Sequence, residues 1–281
     1  MRKISCLGLL FFLFFFSLRG SGVSAPGNDR FSLRLFGGGS YYLLDDIKKG
    51  LEGWDALWHR KWHNILEGGF LPFHWGICFG TEFEARIKPH FSISIETGFL
   101  QARRESFRKV EYNDGFVDEH YDEALDIAVK AVPLIVSGTF RGLPGKRFSY
   151  FGSLGLGLCL GMMDWQYVAI SLDGMYGRQE WKGRTISPVL QVRTGIELEL
   201  RNGIFFVLEA VGLLARFQGL KGRLDDFGTI TEGAVFWFND FGYNDIFFLP
   251  KGQVAEGGDI REGIADLSGC SLRAGIRFLF K

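Results

Sequence analysis

Apolar and polar residues alternate with period two along much of this chain, the pattern of strands with two unlike faces. Between 73 and 87, Ile77, Phe79, Thr81, Phe83, Ala85 and Ile87 alternate with Cys78, Gly80, Glu82, Glu84 and Arg86. The stretch 91–104 sets Phe91, Ile93, Ile95, Thr97 and Phe99 against Ser92, Ser94, Glu96 and Gly98. Leu154, Leu156, Leu158 and Leu160 alternate with Gly155, Gly157, Cys159 and Gly161 within 147–164. The same rhythm returns over 185–200, where Leu190, Val192, Ile196 and Leu198 face away from Gln191, Arg193, Glu197 and Glu199. It returns again over 267–280, where Leu272, Ala274, Ile276, Phe278 and Phe280 oppose Arg273, Gly275 and Arg277. Adding 31–43, 126–141 and 204–219 gives eight strands. Two fit less cleanly. The 126–141 strand is apolar on both faces and carries Pro133, which cannot donate a ladder bond. The 204–219 strand puts Phe205, Val207, Val211 and Leu213 on the face that holds Glu209. Either part of the interior is apolar or the register there differs.

The connections alternate in length. Lys88-Pro89-His90, the Gly142–Lys146 stretch and Arg201-Asn202-Gly203 are short, and Asn-Gly is a strong hairpin signal. The remaining four run to about 20–50 residues, well beyond an ordinary hairpin loop. An up-and-down sheet with this order places every long loop at one end and both termini at the other. That is the plan of a transmembrane β-barrel, which must close because lipid offers no partner to an unpaired strand edge. The polar face then points inward: Arg34, Glu82, Glu84, Arg86, Glu96, Arg193, Glu197, Glu199, Arg273 and Arg277. Paired acids and bases there predict a plugged lumen, with neighbouring glycines leaving room for long side chains. A soluble lipocalin-like barrel alternates too, with its apolar face inward. It would show mainly one long loop.

The start of the chain separates these options further. Arg2 and Lys3 precede an apolar run from Cys6 to Leu18, and Gly20–Ala25 supplies small residues. This is the layout of a secretory signal peptide over 1–25, followed by one domain over 26–281. The apolar core is too short to span a bilayer as a helix. Without residues 1–25 the chain loses three basic residues and no acidic one, leaving 29 basic and 32 acidic side chains. That balance excludes a basic protein built to grip nucleic-acid phosphates. The three cysteines left, Cys78, Cys159 and Cys270, are widely spaced and form neither a disulfide framework nor a zinc motif. Composition agrees with strands and tight turns: 29 Phe and 39 Gly against seven Pro.

Tyr150-Phe151-Gly152-Ser153-Leu154-Gly155-Leu156-Gly157, the leader, the eight-strand pattern and the aromatic last strand resemble the outer-membrane-protein β-barrel domain family, the small OmpA- and OmpX-like barrels. The resemblance covers essentially the whole mature chain. It implies a porin-like barrel in the outer membrane of the cell envelope of a Gram-negative-type bacterium. It also implies contact with outer-membrane lipids and assembly by the barrel-insertion machinery, which reads a terminal aromatic residue. Here Lys281 follows Phe280, a departure from that signal.

The loops hold the remaining candidates. Leu44, Ile47, Leu51, Trp54, Trp58, Trp62 and Ile65 recur every three or four residues, one apolar stripe of a helix. It suits a helix over the barrel mouth, one lying in the membrane interface, or a lid on a ligand pocket. His59 and His63, with Asp55 a turn earlier, share a helical face but lack a metal-site signature. The five histidines, His59, His63, His74, His90 and His120, have no serine and acid in the spacing of a known hydrolase motif. The 220–266 loop holds Phe236-Trp237-Phe238, Phe241, Tyr243, Phe247 and Phe248. Such a cluster fits a folded cap or an adhesive, apolar-ligand surface. Gly37-Gly38-Gly39 lacks the context of a phosphate loop and fits relief of strand strain. The sequence therefore assigns no catalytic, cofactor-binding or metal residue. It points to a non-enzymatic outer-membrane barrel with a structural or surface-interaction role. The alternatives are a partly apolar lumen that passes or binds a small hydrophobic molecule, and a lipid-modifying enzyme.

Overall fold

The computed structural model describes residues 31–58, 63–113, 118–142, 148–171, 174–239, 245–250 and 260–280. The proposed leader lies outside them. Among the described residues, fourteen strands form one continuous antiparallel system with one helix. Eight strands make the ring: β1 (Phe31–Tyr42), β3 (Trp75–Lys88), β4 (Phe91–Asn113), β5 (Asp118–Arg141), β6 (Phe148–Ser171), β7 (Gly174–Arg201), β8 (Ile204–Gln218) and β14 (Gly269–Phe280). Each pairs with the next, and β14 pairs with β1 from Phe31↔Phe280 to Tyr42↔Gly269. First and last strands therefore close the cylinder. Gly38 sits in that seam, and a Cβ there would lie 2.0 Å from the Leu272 carbonyl oxygen. Close approach of two backbones, rather than strain at a turn, is what glycine supplies at this position.

The outward face is apolar in a band. On β6 it carries Tyr150, Leu154, Leu156 and Leu158, the last two 65% and 59% exposed. Ile186 on β7 and Leu272 on β14 are 67% and 62% exposed. From Tyr150 to Met162, at about 3.3 Å per residue and about 40° of tilt, the band is roughly 30 Å tall. Greasy side chains so fully presented in a closed ring are satisfied by hydrocarbon, so the fold is a transmembrane up-and-down barrel. No described helix is long and apolar enough to cross a membrane.

Two features depart from expectation. The second and third long connections are mostly strand: β4 and β5 continue past the band as a hairpin to Asn113 and Asp118, and β6 and β7 do so to Ser171 and Gly174. Above the lipid both faces of a strand can be polar, so the alternation that marks it disappears. The fourth connection folds into β9 (Lys221–Asp226), β10 (Thr229–Asn239), β11 (Asp245–Leu249), β12 (Ile260–Glu262) and β13 (Ile264–Asp266). β9 pairs with the upper part of β7 and continues into β10 and β11, while β13 pairs with β8. β2 (His63–Gly68) pairs with the top of β4.

Pro133 is tolerated on a ring strand because its missing donor falls in a gap. The β4–β5 ladder runs to Thr97↔Leu134 and resumes at Leu100↔Ala131, while Pro133 pairs with Cys159 on the other side.

The helix α1 (Asp45–Trp58) starts with Asp45 and Asp46 in its first turn, where acids complement the helix dipole. Ile47 and Leu51 are buried on its inner face beside Leu44, which precedes it. Gly50 costs about 1 kcal/mol in helix propensity relative to Ala. A Cβ there would sit 2.6 Å from Ile246 Cγ2, so the glycine admits β11 against the helix. The stripe ends sooner than its spacing predicts: the helix stops at Trp58, Trp62 lies outside the described residues, and Ile65 belongs to β2.

Candidate functional site

The interior of the barrel is divided along its axis. The half nearer the tight turns is a charge network. Arg34 joins Glu82 at 2.7 Å and Glu209 at 2.6 Å. Arg193 donates to Glu82 at 2.5 Å, to Glu96 at 2.9 Å and to Ser153 Oγ at 3.1 Å. Arg273 meets Glu96 at 2.7 Å, and Gln191 donates to the same carboxylate at 3.0 Å. Below them, Arg141 grips both oxygens of Glu84 at 2.6 Å and reaches Glu197 at 3.3 Å, which Arg277 holds at 2.8 Å. Five arginines thus face five glutamates. Aromatic faces brace the arginines: Arg273 lies 4.6 Å and Arg34 5.3 Å from the Phe36 ring centroid, and Arg277 lies 4.7 Å from that of Phe205.

Alternation alone places most of this set. Eight of the ten side chains read as inward-facing are buried; Arg86 and Glu199 are half-buried near the turn end. Two members escaped that reading. Glu209 looked like a misfit on an apolar face, and Arg141 stands at the end of a strand whose inner face from Leu125 to Thr139 is apolar or hydroxylic. The register of β8 is nevertheless as read: Val207, Glu209, Val211, Leu213, Ala215 and Phe217 all point inward.

The half nearer the loops is apolar and filled. Ile127, Val129, Ala131 and Ile135 of β5 join Cys159, Met163 and Trp165 of β6 and Phe217 of β8 in one buried cluster. The cap closes over it. Trp54 of α1 packs edge-on against Trp165 at 5.3 Å and beside Phe70 at 5.9 Å. Phe248 of β11 stacks on Trp181 at 4.5 Å and touches Phe236 of β10 at 5.9 Å. Phe236 and Phe238 are fully buried, so that part of the aromatic loop is a folded cap; Phe241 and Tyr243 lie outside the described residues. The cap is pinned by Asp46, which takes two hydrogen bonds of 2.7 Å from Arg261 and one of 2.9 Å from the Ile264 amide. Beside it, buried Arg108 pairs with Glu123 beneath the Phe70 ring, and Tyr167 donates to Glu123 at 2.8 Å. Sequence spacing gave no sign of this trio.

Among the described residues this arrangement leaves little open interior. The cavity remaining among Arg34, Glu84, Arg141, Phe151, Arg193 and Glu197 is about 10 Å³, close to the space one water needs. Cys78 and Cys159 are buried thiols without a disulfide.

The histidines are scattered. His74 stacks on Tyr41 at the rim and shares a 2.8 Å hydrogen bond with the Tyr42 carbonyl. His90 is in the β3–β4 turn, and His120 faces Glu111 at 3.8 Å in the β4–β5 hairpin. His59 lies outside the described residues, and His63 opens the strand β2. Among the described residues no cluster of three or more His, Cys, Asp or Glu is arranged to hold a metal ion. Above the band, hydrogen bonds to Glu67 and Glu180 hold the Lys109 ammonium and the Arg178 guanidinium above their ordinary pKa values.

No family model matches the sequence, and no curated protein matches it. The resemblance to small OmpA- and OmpX-like barrels therefore stands at the level of architecture. Among solved structures, the chain is similar to the outer membrane protein OprG from Pseudomonas aeruginosa at 10% identity and a TM-score of 0.40, covering 90% of this chain and 98% of that one. It is also similar to the outer membrane protease OmpT from Escherichia coli at 9% identity and a TM-score of 0.29, covering 92% and 99%. Likeness this distant lends the chain no activity.

Proposed function

We propose that this protein is a sealed, non-catalytic outer-membrane barrel that serves the cell envelope as a structural or surface-contact element. In this reading residues 1–25 are cleaved on export, residues 26–281 form the single barrel domain, and the barrel-insertion machinery assembles it among outer-membrane lipids. The observation that carries the reading is the interior: ten charges of balanced sign below a filled apolar core, with a cavity of about 10 Å³ between them. A conducting or transporting barrel needs a continuous wet path. Supporting the absence of catalysis is the dispersal of His74, His90 and His120 over the rim, a turn and a hairpin.

Fractionation, heat-modifiable gel mobility and planar-bilayer recording of the purified protein test this together. The expected result is a membrane-bound protein with a heat-shifted band and no discrete conductance. A soluble, unshifted protein would overturn the barrel, and stable channel currents would overturn the seal. The reading in which the lumen holds a small hydrophobic molecule is weaker, because Trp165, Phe217 and Phe248 already occupy the apolar half. Identical lipid A mass spectra with and without the protein are expected, and a difference between them would revive the lipid-modifying alternative.

A further inference from the structure

Immediately above the apolar band, the outer surface of the barrel carries an unusual array of cations. Lys182 and Arg184 project outward from β7, and Lys221 and Arg223 from β9. The register sets them directly opposite one another: Arg184↔Lys221 and Lys182↔Arg223. Like charges in facing cross-strand positions repel, and a sheet ordinarily avoids them. Here two such pairs are stacked side by side. The Gly183↔Gly222 pair between them draws the strands together, since a Cβ on Gly222 would lie 1.7 Å from the Lys182 carbonyl oxygen.

Acids lie close by without neutralising the array: Asp164 and Glu232 line the same groove, and Glu180↔Asp225 is the next pair up on the same face, with Glu180 taken by Arg178 at 2.9 Å and Asp225 by the Gly228 amide at 2.9 Å. Asp164 faces Lys182 across β6–β7, but its carboxylate is taken by Lys130. Glu232 approaches only Arg223, at 4.0 Å. Among the described residues, Lys182, Arg184 and Lys221 have no ion-pair partner within 4.0 Å. The four cations and the glycines line an open groove of about 490 Å³. A second hollow of about 260 Å³ adjoins it through Asp164 and Lys182; its own cations, Arg103 and Lys130, are paired with Asp126 and Asp164. Directly beneath Arg184 on the same face is Ile186, 67% exposed, so the groove is continuous with the lipid-facing band.

A ligand that satisfies both surfaces has a multiply charged anionic head and apolar tails. We propose that this groove binds the phosphate-bearing headgroup of an anionic lipid in the leaflet at the loop end of the barrel. Its phosphates sit between the Arg184–Lys221 and Lys182–Arg223 pairs, and its acyl chains lie along Ile186 and Leu158. Guanidinium and ammonium groups meet phosphate with charge-assisted hydrogen bonds. The bound anion replaces repulsion between the facing pairs by attraction. The site rests on the membrane reading above and is independent of whether the lumen conducts.

The test uses full-length mature protein in a neutral maltoside detergent, with native mass spectrometry and thermal melting as readouts. Three probes are compared: diphosphorylated lipid A, the same glycolipid stripped of phosphate, and inorganic pyrophosphate. Diphosphorylated lipid A is expected to bind at least tenfold more tightly than either other probe and to raise the melting temperature. The quadruple variant Lys182→Gln, Arg184→Gln, Lys221→Gln, Arg223→Gln is expected to lose that preference. Because its residues are exposed and mutually repelling, it should melt higher than the wild type in lipid-free detergent. Equal binding of the phosphorylated and stripped lipids would overturn the site, as would full retention by the variant. Pyrophosphate binding as tightly as the lipid would reassign the groove to a free anion. A wild-type protein without a heat-shifted band would fail earlier, at the barrel itself.

Discussion

Replacing Arg193 with methionine tests the charge network at its centre. The guanidinium is 1% exposed and serves Glu82 and Glu96 at once. Arg193→Met keeps much of the volume but removes one of five interior cations, so the interior acquires a net charge of −1. Breaking a buried ion pair by deleting one partner costs about 3–5 kcal/mol, because the other charge stays desolvated. Glu82 retains Arg34 and Glu96 retains Arg273, both at 2.7 Å, which puts the expected loss near the lower end, about 3 kcal/mol. Urea unfolding in detergent, followed by tryptophan fluorescence and checked by gel mobility, measures it. The companion variant Arg193→Met with Glu82→Gln restores neutrality and should recover about half of the loss, leaving a cost of about 1.5 kcal/mol, less than the two single changes summed. A cost below about 1 kcal/mol, the range of exposed pairs, would refute a dry, interdependent network. So would simple additivity of the two changes.

Other perturbations probe other parts of the molecule. Gly38→Ala forces a Cβ against the Leu272 carbonyl in the closing seam and should cost about 1–3 kcal/mol, read as a lower unfolding midpoint. Asp46→Ala removes the hydrogen bonds from Arg261 and the Ile264 amide; each charge-assisted bond is worth about 1.5–3 kcal/mol, so limited proteolysis should cut within the cap while planar bilayers stay silent. Phe227 holds a φ of 52° at the tip of the β9–β10 hairpin, where a bulky residue is strained, so Phe227→Asn should stabilise by about 1 kcal/mol in thermal melts.

Period-two reading succeeded where one face meets lipid. There every second residue must be apolar, and charge on the other face marks the interior unambiguously, as with Glu82 and Arg193. It faltered at both ends of that zone. Beyond Gln101 the outward residues of β4 are Arg103 and Glu105, so its continuation as strand left no contrast to read. Within the apolar upper interior, Val129 and Ile135 face inward while Val132 and Leu134 face lipid, and sequence cannot tell those two greasy environments apart. The helix over the mouth was legible from Ile47, Leu51 and Trp54. Its partners were not, because Asp46 and Arg261 are separated by most of the chain and meet only when β12 and β13 fold back over the barrel.

The equality of positive and negative groups inside the cylinder has an electrical consequence. A potential difference across a bilayer does work on a protein in proportion to the net charge it displaces. With five arginines and five glutamates locked together, a rigid shift of the whole set along the axis displaces none. Among the described residues this network therefore carries no net gating charge, and voltage has no handle by which to pull it open as a unit.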